Sequence, residues 1–154
     1  MNALREKLKL ILTECSQHQA RVLRAYGKMK SKLPLSIDTY SHLSEDDIEH
    51  IDQFLFRFSR LQDAMGKKLF HTLLLLLEEP VRDMPFVDIL NHLERLGFLK
   101  AQDWLDLRNM RNNIAHEYSL ETDELVDSLN AILEEKDKLL FIYEAMREYC
   151  EERF

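Results

Sequence analysis

The chain has 154 residues, 45% apolar by type and 32% charged, with 28 acidic against 21 basic side chains and a formal net charge of −7. That length is enough for one globular domain with a core of its own, read here as a single unit over residues 1–154. Three glycines and three prolines, against a usual share of about 7% and 5%, exclude a turn-rich sandwich, barrel or propeller, and Gly27, Gly66 and Gly97 stand too far apart for the Gly-rich phosphate loop of a Walker-type NTPase or Rossmann dehydrogenase.

Leu4, Leu8, Ile11, Cys15, Val22, Tyr26 and Met29 recur at spacings of three, four and seven, the stripe of a long amphipathic helix that stops before Pro34. The opening residues Met1 to Lys7 are already charged and periodic and lack the apolar run of a signal peptide. Cys15 and Cys150 form no C-x-x-C pair, so a reducing, cytoplasmic location is expected. Lys28, Lys30 and Lys32 gather where the helix dipole favours cations. Between Leu35 and Leu43 the period is lost. Ser44-Glu45-Asp46-Asp47 then supplies an N-cap with a carboxylate at the third helical position. It opens a second long helix carrying Ile48, Ile51, Phe54, Phe58, Leu61, Met65, Leu69 and Leu73, expected to end near Glu78-Glu79-Pro80. Its most apolar stretch, Leu69 to Leu77, is interrupted by His71 and Thr72 and is less than half the roughly 20 residues of a membrane span.

Phe86 to Leu96 reads as a short helix closed by Gly97, Ala101 to about Tyr118 as a fourth, and the last runs from about Thr122 toward the C-terminus. No segment alternates apolar and polar residues in the manner of a strand, and no repeat is present. The expected fold is an all-α bundle of about five helices.

The unusual stretch is Leu107 to Tyr118, LRNMRNNIAHEY. At about 100° per residue, Trp104, Leu107, Ile114, Ala115 and Tyr118 share one side of this helix, and Arg111 falls in the middle of that side. Burying a guanidinium without a partner costs several kcal/mol, so Arg111 requires a carboxylate, a second chain or an anionic ligand. His116 stands about 140° round an ideal helix from Arg111. The two converge only if the helix loosens or a second copy completes the site. The plainer reading is a structural ion pair at Arg111, a flanking His116 and helix-end residues at Asn112 and Asn113.

Arg111-Asn112-Asn113-Ile114-Ala115-His116 resembles the R-x4-H signature of HEPN domains, all-α modules associated with nucleotides or RNA, and His116-Glu117-Tyr118 extends it to R-x4-H-x-Y. That longer form is similar to the HepT-like toxins, which are encoded beside a minimal nucleotidyltransferase (MNT) antitoxin. Phe56-Arg57-Phe58-Ser59-Arg60-Leu61-Gln62-Asp63 resembles a segment of such toxins' second helix. The resemblance implies a HEPN-like bundle that dimerises and a metal-independent endoribonuclease with its cleft between two protomers. Imidazole moves protons near neutral pH, so His116 is the expected acid or base. Arg111 is expected to hold the scissile phosphate and offset its developing charge, with Asn112 orienting phosphate or imidazole. A 2′,3′-cyclic phosphate and a 5′-hydroxyl follow as products.

The resemblance further implies that the nucleotidyltransferase antitoxin attaches AMP to Tyr118, placing bulk and negative charge beside the arginine and blocking RNA. By periodicity alone Tyr118 packs with Ile114. Arg57, Arg60, Lys67 and Lys68 fall along the second helix beside Phe54, Phe58, Leu61 and Met65. With Arg108 they are the expected contacts to an RNA backbone, set against the alternative of a solvated helix face. The acidic balance argues against non-specific nucleic-acid binding but leaves room for a local basic groove. No H-E-x-x-H is present and Asp47-x-x-His50 stands alone, so neither a metal nor a cofactor is expected. The anticipated partners are a second copy of the chain, the MNT-type nucleotidyltransferase and an RNA substrate, transfer RNA among the candidates, with no membrane and no DNA. Two alternatives accompany this reading: a catalytically silent HEPN subunit that binds the nucleotidyltransferase, and a plain helical interaction protein.

Overall fold

The structure, a computed structural model, describes residues 2–115 and 121–154. His116 and Tyr118 lie outside the described residues. The chain is all-helical, 84% helix with no strand among the described residues. None of the described helices is long and apolar enough to cross a membrane.

Helix α1 spans Asn2–Met29 and buries Leu8, Ile11, Cys15, Val22 and Met29 of the expected stripe, together with His18 and Ala25. A single 3₁₀ turn, Lys30–Lys32, follows. Where the period is lost the chain makes α2, Ile37–Ser41, one short helix capped by the Ser36 hydroxyl, which accepts from Thr39 N–H at 3.0 Å. Five residues are too few to display a repeat, so the expected count of about five helices rises to about six. Just ahead of α2, both backbone groups of Leu35 are held by the Asn130 amide at 2.8 Å each, fastening this segment to the C-terminal helix.

Helix α3, Glu45–Ala64, begins on the expected capping box. The Ser44 hydroxyl accepts from Asp47 N–H at 3.1 Å, and the Asp47 carboxylate accepts from Ser44 N–H at 3.2 Å. The Lys32 ammonium also donates to that carboxylate, and it is the main reason the Asp47 carboxyl is held below the ordinary aspartate range, with Ser44 N–H second. A depressed carboxyl stabilises the fold above its ordinary pKa, and the contribution is lost as pH falls through the folded value. Ser44→Ala should therefore cost about 1 kcal/mol in denaturant unfolding. Asp47→Asn should remove an acid-limb step from the stability profile, one lying below the ordinary aspartate range; an unaltered acid limb would count against the cap.

Helix α3 continues without a break through a wide turn, Met65–Leu69, in which Phe70 N–H bonds to the Met65 carbonyl five residues back. It then becomes α4, Phe70–Leu76. The second long helix of the sequence is thus one rod over 45–76 with a π-type turn inside it. Ile51, Phe54, Phe58, Leu61, Met65, Leu69 and Leu73 are buried, whereas Ile48 is exposed because it stands about 100° round the helix from mid-stripe.

Helix α5, Phe86–Arg95, ends in a Schellman closure. Phe98 N–H reaches the Leu93 carbonyl at 3.0 Å and Gly97 N–H the Glu94 carbonyl at 2.9 Å. Gly97 has φ +85°, a conformation that favours glycine. Helix α6 is Ala101–Ala115, and α7, Thr122–Arg153, is the longest element at 32 residues. The main packings are α1 along α3 and α6 along α7. α7 is tied to α1 by the Tyr143 hydroxyl, which donates to the Leu12 carbonyl at 3.0 Å and lies 2.6 Å from Ser16 Oγ. Cys15 and Cys150 are free and buried, and burial pushes both thiols up to about 12, the state of small core residues rather than nucleophiles.

Candidate functional site

Helix α6 buries Trp104, Leu107 and Ile114, and Arg111 projects from the same side, as its sequence position requires. Its partner is a carboxylate of the same chain. Arg111 Nη1 donates to Asp63 Oδ1 at 2.8 Å, to the Ser59 carbonyl at 3.2 Å and to Gln62 Oε1 at 3.5 Å. Gln62 is buried and its amide also donates to the Trp104 carbonyl at 3.4 Å, so one side chain sets the spacing between α3 and α6. Residues 59, 62 and 63 share a face of α3 by the i, i+3, i+4 rule. All three belong to the Phe56–Asp63 segment singled out in the sequence. The ion pair is not sealed: the Arg111 side chain is 21% exposed and that of Asp63 38%.

Arg111 stands between two hollows. One, of about 220 Å³, is lined by Gln62, Asp63, Gly66, Lys67, Phe86, Trp104 and Arg108. The other, of about 350 Å³, includes Asp52, Phe56, Ser59, Arg60 and Ile114 in its wall. The wide turn at 65–69 puts Gly66 and Lys67 on the first wall. Gly66 packs so closely on the indole that a Cβ there would stand 3.2 Å from Trp104 Cζ2. Arg108 lies over the Phe86 ring, 5.8 Å from its centroid, at the edge of the same cavity. The cavity thus offers an apolar floor of Trp104 and Phe86 beneath three cations and the Asp63 carboxylate. That arrangement suits an anion carried on a flat or apolar body.

Of the residues marked in the sequence, Arg111, Arg108 and Lys67 meet in one cavity and Arg60 in the adjoining one. Asn112 is exposed on α6. Arg57 and Lys68 point the other way, toward α1: Arg57 Nη1 donates to His18 Nδ1 at 3.0 Å and Lys68 Nζ to Glu14 Oε1 at 2.8 Å. That lysine contact is the main reason the Glu14 carboxyl is held below its usual range. The expected single basic strip is therefore two rows. Positions 57 and 60 stand about 60° apart on the regular turns of α3, while Lys67 and Lys68 lie within the wide turn, Lys67 on the cavity and Lys68 on Glu14.

The sequence does not mark Asp63, Ser59 and Gln62 as the partners of Arg111. Their common face was legible from spacing; that it meets α6 was not. Among the described residues, no group of three or more His, Cys, Asp or Glu side chains gathers as a metal-ligand set. No protein-family model, no curated protein and no solved structure matches the chain.

Proposed function

We propose that the chain is a HEPN-type, HepT-like toxin of a toxin–antitoxin pair: a homodimeric, metal-independent endoribonuclease, restrained when an MNT-type nucleotidyltransferase attaches AMP to Tyr118. The observation that carries this reading is the setting of the motif arginine. Arg111 is held by Ser59, Gln62 and Asp63 at the boundary of two hollows, with Lys67, Arg108 and Arg60 around it and its side chain partly exposed. An arginine serving only as an internal strut gains nothing from three neighbouring cations, whereas one that receives a phosphate does.

In this reading the RNA phosphate sits against Arg111, His116 exchanges a proton with the 2′-hydroxyl or the 5′-oxygen, and Asn112, exposed on the same helix, orients the phosphate or the imidazole. AMP on Tyr118 would bring a competing phosphate to the same cations. The test is cleavage of total and transfer RNA in EDTA by protein confirmed by mass to carry no AMP. Wild type is expected to leave 2′,3′-cyclic phosphate ends, and His116→Ala to be slower by about 10²–10⁴-fold. Equal cutting by both proteins would overturn the assignment. No cutting by wild type would favour the silent nucleotidyltransferase-binding subunit.

A second reading, a plain helical interaction protein with Arg111 as a structural ion pair, is favoured by the 2.8 Å contact to Asp63. The two readings part on what the loss of Arg111 does to stability and to cleavage.

A further inference from the structure

On the side of α3 turned about 160° away from the Arg111 partners, a groove of about 440 Å³ runs between α1 and α3. Arg21, Arg24 and Lys28 line it from α1, and His50, Gln53 and Arg57 from α3. Both sets repeat as i, i+3, i+7, so each forms a stripe about 10 Å long. Residues 15–37 contain five Lys and Arg and no Asp or Glu, a local +5 inside a chain whose total is −7. The negative charge that balances the molecule has been placed elsewhere.

Like charges crowded on one wall repel, and neighbouring carboxylates are the usual remedy. Here, among the described residues, no carboxylate lies within ion-pair distance of Arg21, Arg24, Lys28 or Arg57. Arg57 is instead met by a neutral acceptor. Its Nη1 donates to His18 Nδ1, which leaves Nε2–H of that ring to donate to Glu14 at 3.1 Å. Arg57 Nε is buried and has no hydrogen-bond partner among the described residues. That atom is closed to solvent, but the rest of the half-buried Arg57 side chain stands at one end of a carboxylate-free basic groove whose crowded positive charge an anion would offset.

We propose that this groove binds the phosphodiester backbone of a single nucleic-acid strand, as a contact separate from the Arg111 cavity. That the strand is RNA rests on the ribonuclease reading above; the preference for a phosphodiester rests on the groove alone. A cationic stripe about 10 Å long on α1, faced by Arg57 and Gln53 of α3, matches a row of charges better than one small anion, since that length spans more than one phosphate of a strand. Arginine supplies paired donors to phosphate oxygens and Gln53 a neutral one, while the lining holds no Phe, Tyr or Trp and its one ring is the His50 imidazole. The groove therefore grips without selecting sequence.

The test is fluorescence anisotropy with a labelled 2′-O-methyl RNA strand, which lacks the attacking hydroxyl and survives whether or not the chain is a nuclease. Combined Arg21→Ala, Arg24→Ala and Lys28→Ala alters three exposed side chains, and thermal melts check that the fold is kept. Affinity should fall at least tenfold at low salt, and the slope of log K against log salt should shrink by about 2, three contacts at ~0.7 each. A matching DNA strand held as tightly supports a backbone contact. The probe is read by binding and needs no cleavage, so a failed ribonuclease reading leaves this result standing. Unchanged affinity and slope in the triple variant would overturn the proposal and leave the basic face to an acidic protein surface. Displacement of the strand by millimolar inorganic phosphate, with no change in salt slope, would overturn it in favour of a small-anion site.

Discussion

Trp104→Ala is expected to lower the unfolding free energy by about 3–5 kcal/mol, the usual range for deleting a buried large aromatic. Trp104 is 2% exposed and its ring centroid lies 4.6 Å from that of Phe70 and 6.5 Å from that of Phe86. It is therefore where α4, α5 and α6 meet. Nothing nearby is placed to refill the space, because the adjoining position is Gly66 and the far side opens into the Arg111 cavity. The midpoint of thermal unfolding should fall by about 6–20 °C, at ~2–4 °C per kcal/mol for a chain of this size. A cost below about 1 kcal/mol would mean that the three-ring cluster does not hold these helices together. The same substitution removes the floor beneath Lys67, Arg108 and Arg111, so any activity of the cavity should fall with it.

Arg111→Ala is expected to change stability little and cleavage greatly. A fully buried ion pair broken on one side costs about 3–5 kcal/mol because the remaining charge is stranded. Asp63 would not be stranded: its side chain is 38% exposed and water can take the place of the guanidinium. Pairs of that exposure contribute about 1 kcal/mol or less. In the ribonuclease reading, by contrast, the loss of a donor to the reacting phosphate should slow cleavage by about 10²–10³-fold. Asp63→Asn keeps an acceptor at Oδ1 and removes the charge, so it should also cost 1 kcal/mol or less while loosening the aim of Arg111. Denaturant unfolding and RNA cleavage measured side by side decide the matter. A loss of about 3–5 kcal/mol in Arg111→Ala with cleavage intact would establish the arginine as a strut.

What was legible in the sequence is what local chemistry determines. The Ser44 capping box, the Gly97 closure, and helix starts near residues 45, 86, 101 and 122 follow from caps and periodicity within one or two turns. The single-turn helix Ile37–Ser41 was hidden because five residues carry no repeat. The wide turn was hidden because Leu61, Met65, Leu69 and Leu73 keep ordinary four-residue steps through it. That Arg111 required a partner was evident from its place on an apolar face. Asp63, its partner, was not, since it lies 48 residues away and the meeting of α3 and α6 is decided by packing. The division of the basic residues was hidden for a related reason: a row drawn on one helix becomes two when different neighbours, α1 and α6, meet its two edges.

The extra residue in the turn at Met65–Leu69 makes the length of that rod negotiable. In a regular α-helix, deleting one residue rotates everything beyond it by about 100° and turns the apolar face out of the core. A π turn is a local surplus of one residue whose flanks are already in phase. Shortening the chain by one residue there would close the turn to ordinary α pitch, with Phe54 and Phe58 before it and Leu73 and Leu74 after it still facing inward. The cavity wall carrying Gly66 and Lys67 would be redrawn while the bundle stayed assembled. The scaffold and the site can thus be uncoupled by a change of length, without altering the chemistry of any residue that remains.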